Sequence, residues 1–170
     1  VFCTAALFAS LAALSACAPS PSTPTGSARA AGSPHDMVMQ VRAAGSGTDA
    51  LDVHPLRDPQ VEDLRDRASK LEAAGDIAGA SQAIAQALQL VPGDPDLLQS
   101  AAELALYAKD WNRAETDAMQ SWQLGPKLGS LCRRNWTAIR YARLQRGSSA
   151  GAHEAEAKVA ACTVEPPVRM

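Results

Sequence analysis

The chain has 170 residues and a net charge of −2, and 46% of its residues are hydrophobic but only 4% aromatic. That length suits one domain. A near-neutral charge that is not gathered into one tail disfavours nucleic acid and acidic membrane surfaces as partners, and the alanine-rich apolar fraction suits closely packed helices better than the bulky layers of a β-sandwich.

Residues 1–16 carry no charged side chain. The apolar run from Phe2 to Ala13 has the length of a signal-peptide core and is short for a membrane span. No initiator methionine or basic stretch precedes it, so we read it as a signal peptide with a truncated leading region. It ends in Leu14-Ser15-Ala16-Cys17. These four residues resemble a bacterial lipobox, which implies cleavage before Cys17 and acylation of that cysteine. Several acyl chains anchor far better than one, at roughly 0.8 kcal/mol per buried methylene. Ala18 rather than Asp follows the cysteine, and by resemblance to enterobacterial sorting rules this implies the outer membrane. The stretch from Ala18 to Pro34 is rich in Pro, Ser, Thr, Gly and Ala. It buries too little apolar surface to offset its ordering entropy, so residues 17–34 are read as lipidated cysteine and flexible tether.

In residues 35–57, Met37, Met39 and Val41 alternate with Val38, Gln40 and Arg42 in a weak strand-like period. Gly45-Ser46-Gly47-Thr48 breaks it and lacks the lysine of a phosphate loop, so it reads as a turn. The segment is expected to be poorly ordered or an extended arm laid over the helices that follow.

Asp58-Pro59 opens the first clear helix, an acidic cap followed by proline at the first helical position. Val61, Leu64, Ala68 and Leu71 follow at helical spacing, and Gly75 closes it. A second helix spans Ile77 to Leu90, with Ala80, Ile84, Ala87 and Leu88 inward, and Pro92-Gly93 stops it. The pattern then returns 34 residues on: Gly75-Asp76-Ile77 becomes Lys109-Asp110-Trp111, Ala80 becomes Ala114 and Pro92 becomes Pro126. The second pair runs from Pro95 to Ala108 and from Trp111 to Gln123. A diverged third pair runs from Leu131 to Gln145 and from Ala150 to Cys162. Residues 163–170, with Pro166-Pro167, form a tail.

A period of 34 residues in which paired helices bury their apolar faces against neighbours is a repeat signature. These residues resemble the tetratricopeptide repeat (TPR): Ala68 and Ala102 at the small-residue position of the first helix, Ala80 and Ala114 in the second, Pro92 and Pro126 at the close. Neither first helix carries the usual early tryptophan or its neighbouring glycine. The expectation is an all-α domain over residues 58–162, about three helix-turn-helix pairs in a short right-handed solenoid. In such repeats the first helix of each pair lines a peptide-binding groove. Mapped here by the 34-residue offset, the groove has three rows: Arg65, Gln99 and Arg133; Ser69, Glu103 and Thr137; Glu72, Leu106 and Arg140.

Cys132 and Cys162 fall at adjacent ends of one helical hairpin. An exported chain can hold them as a disulfide, the alternative being two buried free thiols. His35, His54 and His153 lack ligand spacing, and no nucleophile–base motif is present, so no catalytic residue, metal site or cofactor is assigned. Trp111, Trp122 and Trp136 are read as packing between helices. The leading expectation is a non-enzymatic envelope lipoprotein, facing the periplasm, that binds a protein partner as scaffold or assembly factor of a pilus, secretin or outer-membrane protein machine. Nucleic acid and small-molecule substrates are not expected. The alternatives are an accessory regulator of a cell-wall enzyme, or a structural lipoprotein without a dedicated partner.

Overall fold

The computed structural model describes residues 32–46 and 58–163. All regular structure among them is helical: α1 (Pro34–Gly45), α2 (Pro59–Ala73), α3 (Ile77–Leu90), α4 (Pro95–Tyr107), α5 (Trp111–Leu124), α6 (Ser130–Gln145) and α7 (Ser149–Ala161). Helices α2 to α7 form three consecutive pairs, each helix packed on the next.

The pairs begin where local chemistry directs. Asp58, Asp76, Asp94 and Asp110 each accept a hydrogen bond from a backbone amide in the first turn, on Gln60, Gly79, Leu97 and Arg113. Those amides have no partner inside the helix, so a side-chain cap contributes about 1 kcal/mol. The turn inside each pair is one motif used three times. Amides of Asp76, Asp110 and Ser148 donate to the carbonyls of Leu71, Ala105 and Arg143, five residues back. The residue before each donor has positive φ: 82° at Gly75, 60° at Lys109 and 76° at Gly147.

Lys109 is the only non-glycine with positive φ among the described residues. A Cβ in the left-handed region is strained, whereas glycine is not. We expect Lys109→Gly to raise stability by about 0.5–1 kcal/mol, after the extra unfolded-state entropy of glycine is charged against it. A urea midpoint that fails to rise would show that the neighbouring bonds already absorb the strain.

The core is built from alanines between helices. One cluster joins α2, α3 and α4 through Val61, Ala68, Ala80, Ile84, Leu97 and Leu104. A second joins α1 to α4, α5, α6 and α7, with Met37, Val41, Leu106, Trp136 and Ile139 at its centre. Trp136 meets the edge of Trp122 at 5.2 Å between ring centroids.

Residues 34–45 depart from the expected extended arm. They form α1, which packs on α4 and α6. Ser33 and Asp36 make a capping box, and Pro34 stands in the first turn. Met37, Val38 and Val41 are buried, while Met39 is half exposed. The spacing is i, i+1, i+4, which a helix buries on one face and a strand cannot. Residues 47–57, the remainder of that arm, lie outside the described residues.

Candidate functional site

Helix α1 lies across α4 and α6, the two first helices that carry most of the expected groove residues. Leu106, Gln99 and Glu103 are fully buried, and Arg133 and Thr137 nearly so. The groove expected to be open is therefore filled over this half by the chain's own segment. Arg133 Nε donates to the Ala44 carbonyl at 2.8 Å, and Thr137 bonds back to the Arg133 carbonyl. Tyr141 donates to Gln40 on α1. Arg140 faces elsewhere: its guanidinium lies 4.0 Å from Glu156 on α7 and over the Tyr141 ring. These residues cannot form one partner-binding row with Arg65, because burial and pairing have already committed them.

The open remainder is a cleft of about 360 Å³ on the α2 side. Arg65, Ser69 and Glu72 line it from α2 and Glu103 from α4, as the sequence led us to expect, and Ala68, Ile84 and Leu104 supply apolar wall. Arg42 from α1 and Arg134 from α6 close its other side. Neither of these two was expected. Arg134 stands one position past Arg133, where the longer third pair shifts the register of the 34-residue mapping.

Glu103 is the hub of the cleft wall. Arg42 Nε donates to its Oε2 at 2.8 Å, while Arg134 Nη2 at 2.6 Å and Gln99 Nε2 at 3.0 Å donate to its Oε1. Arg42 also forks onto both oxygens of Glu72, at 2.7 and 3.0 Å. These Glu72 bonds, opposed by burial and assisted by Glu103, hold the Arg42 pKa above its ordinary value, so the guanidinium stays charged. Paired guanidinium–carboxylate forks fix planar geometry as well as charge. The cleft wall is thus cross-linked by hydrogen bonds among α1, α2, α4 and α6. Burial raises the phenol pKa of neighbouring Tyr107, with the Glu72 carboxylate adding to the effect.

Among the described residues no group of three or more His, Cys, Asp or Glu is arranged to hold a metal ion. His35 and His153 are exposed, with 69% and 89% side-chain exposure, and His54 and the candidate lipidation residue Cys17 lie outside the described residues. The structure joins Cys132 to Cys162, with Cα atoms 5.7 Å apart. No helix of the described residues is long and apolar enough to cross a membrane.

No family model and no curated protein sequence matches the chain. A solved structure does resemble it: the globular C-terminal domain of P. aeruginosa LpoP, at 27% identity and a TM-score of 0.59. The likeness covers 62% of this chain and 99% of that domain.

Proposed function

We propose that this chain is a lipid-anchored protein of the bacterial envelope that binds a protein partner through the α2-side cleft, and that it serves as an accessory regulator of a cell-wall enzyme. The observation that carries the reading is the cleft itself, an accessible polar concavity whose walls from four helices are tied together by arginine–glutamate hydrogen bonds. The likeness to the LpoP domain supports the regulator reading, the earlier alternative, over the scaffold of a pilus, secretin or outer-membrane protein machine. In this reading the protein is no enzyme, needs no cofactor, and holds its helix pairs as diverged TPR units. Cys17 carries the lipid, and residues after it tether the domain beneath the outer membrane.

The test is site-specific photocrosslinking in intact envelopes. A crosslinker at Ser69, exposed in the cleft, is expected to trap one cell-wall enzyme. The same crosslinker at His153, exposed on α7, is expected to trap none. Equal products from both positions, or a secretin or pilus component at Ser69, would overturn the regulator reading.

A further inference from the structure

The charges of the cleft do not balance, and the imbalance has a location. Arg42, Arg65 and Arg134 line it against two carboxylates, Glu72 and Glu103. Both Glu72 oxygens are taken by Arg42. One Glu103 oxygen is taken by Arg42 and the other by Arg134 and Gln99. Arg65 is left over. Its Nη1 is buried without a hydrogen-bond partner, and its nearest carboxylate, Glu62, stands 3.9 Å from Nε. The side chain keeps 27% of its exposure, so its charge is only partly matched by Glu62 and stays within reach of an anion in the cleft. Ser69 lies one helical turn along the same face, so its hydroxyl and the Arg65 fork face one cleft. Behind them, Ala68, Ile84 and Leu104 offer apolar wall to the methylenes of a short side chain.

We propose that Arg65 and Ser69 form the specificity subsite of this cleft and that it takes one acidic side chain of the partner polypeptide. This deepens the partner-binding reading above and rests on it. A carboxylate meets the guanidinium in a two-bond fork and leaves the Ser69 hydroxyl as a third donor. A lysine or arginine side chain finds no vacant carboxylate here and meets three guanidiniums, so the cleft also rejects basic partners.

The test uses the full chain in detergent, with the arginine Nε–Hε resonances followed by NMR. The probes are acetyl-Ala-Ala-Glu-Ala-Ala-amide, its Gln counterpart, and acetyl-pentaalanine with a free carboxyl terminus. The Glu peptide is expected to move the Arg65 resonance saturably, with an apparent affinity about tenfold above the Gln peptide. Arg65→Gln should abolish the difference with helicity unchanged. Equal responses to Glu and Gln peptides, no response to either, or a response to the free terminus alone would overturn the proposal. A second arm repeats the Ser69 crosslink in the Arg65→Gln background. A drop of about tenfold in yield supports the subsite. An unchanged yield overturns the subsite while leaving the partner reading intact. Absence of any partner in both backgrounds overturns the partner reading, and the peptide titration still decides the subsite.

Discussion

Replacing Glu103 by alanine should lower stability by about 3 kcal/mol and Tm by roughly 10 °C. The side chain is 1% exposed and accepts from Arg42, Arg134 and Gln99. Its removal strands the half-buried Arg134 guanidinium, takes one of the two carboxylates from Arg42 and leaves that side chain to Glu72 alone. Breaking a buried pair from one side costs more than deleting both partners, because an uncompensated charge is left behind. Arg42 and Arg134 keep 38% and 26% of their side-chain exposure, so water recovers part of the loss, and the lower end of the range for buried pairs applies. The double variant Arg42→Ala with Glu103→Ala should therefore lose less than the sum of the singles. Hydrogen exchange supplies the local readout. Amides of α1 should lose protection in Glu103→Ala before those of α3, since Arg42 ties α1 to α2 and α4. A loss under 1 kcal/mol with α1 protection intact would show that the network is solvated like an ordinary surface cluster.

The same network explains what could and could not be read from the sequence. Helices α2 to α5 were legible because their boundaries are local: an aspartate cap on each, a proline in the first turn of α2 and α4, and a left-handed residue just past both of those helices. Four cleft residues were legible: Arg65, Ser69 and Glu72 stand at i, i+4 and i+7 on one face of α2, and the 34-residue offset carries Ser69 onto Glu103. The occupancy of the remaining groove was not. Arg42 and Glu103 stand 61 residues apart, and nothing local marks them as partners. Helix α1 was missed because a segment of 12 residues supports both an alternating and a helical pattern. Exposed Met39 completed the wrong one. The deciding signal lay just upstream, in Ser33-Pro34-His35-Asp36, where a serine cap faces an acid three residues on. The arginines carried a second signal. A chain that buries Glu103 on a first helix must bring a cation to it.

Reduction of the Cys132–Cys162 bond should produce the other large effect. Closing a loop of 30 residues restricts the unfolded chain by about 3–4 kcal/mol in the chain-entropy model. The placement makes that contribution decisive for α7. Among the described residues this helix packs only on α6. Its buried positions are Ala152 and Ala155, with Cys162 just beyond its end. Two alanines bury little area, so few other interactions resist detachment. They include the Arg143 bonds to the Gly151 carbonyl and Glu154, the Arg140–Glu156 ion pair at 4.0 Å, the packing of half-buried Val159, and the Gly129 amide bond to the Cys162 carbonyl at 2.8 Å. A terminal repeat with one neighbour is the weakest unit of a linear array. With the bond reduced, or in Cys132→Ser with Cys162→Ser, α7 should lose amide protection first, while α2 and α3 keep theirs. Tm should fall by at least about 10 °C. Alkylation and intact mass must first report no free thiol at these positions in the oxidised protein. Two thiols labelled in both states, or a Tm unmoved by reductant, would mean that α7 holds to α6 by packing alone. The two predicted losses act at opposite faces of α6, so combining Glu103→Ala with reduction should give nearly additive effects.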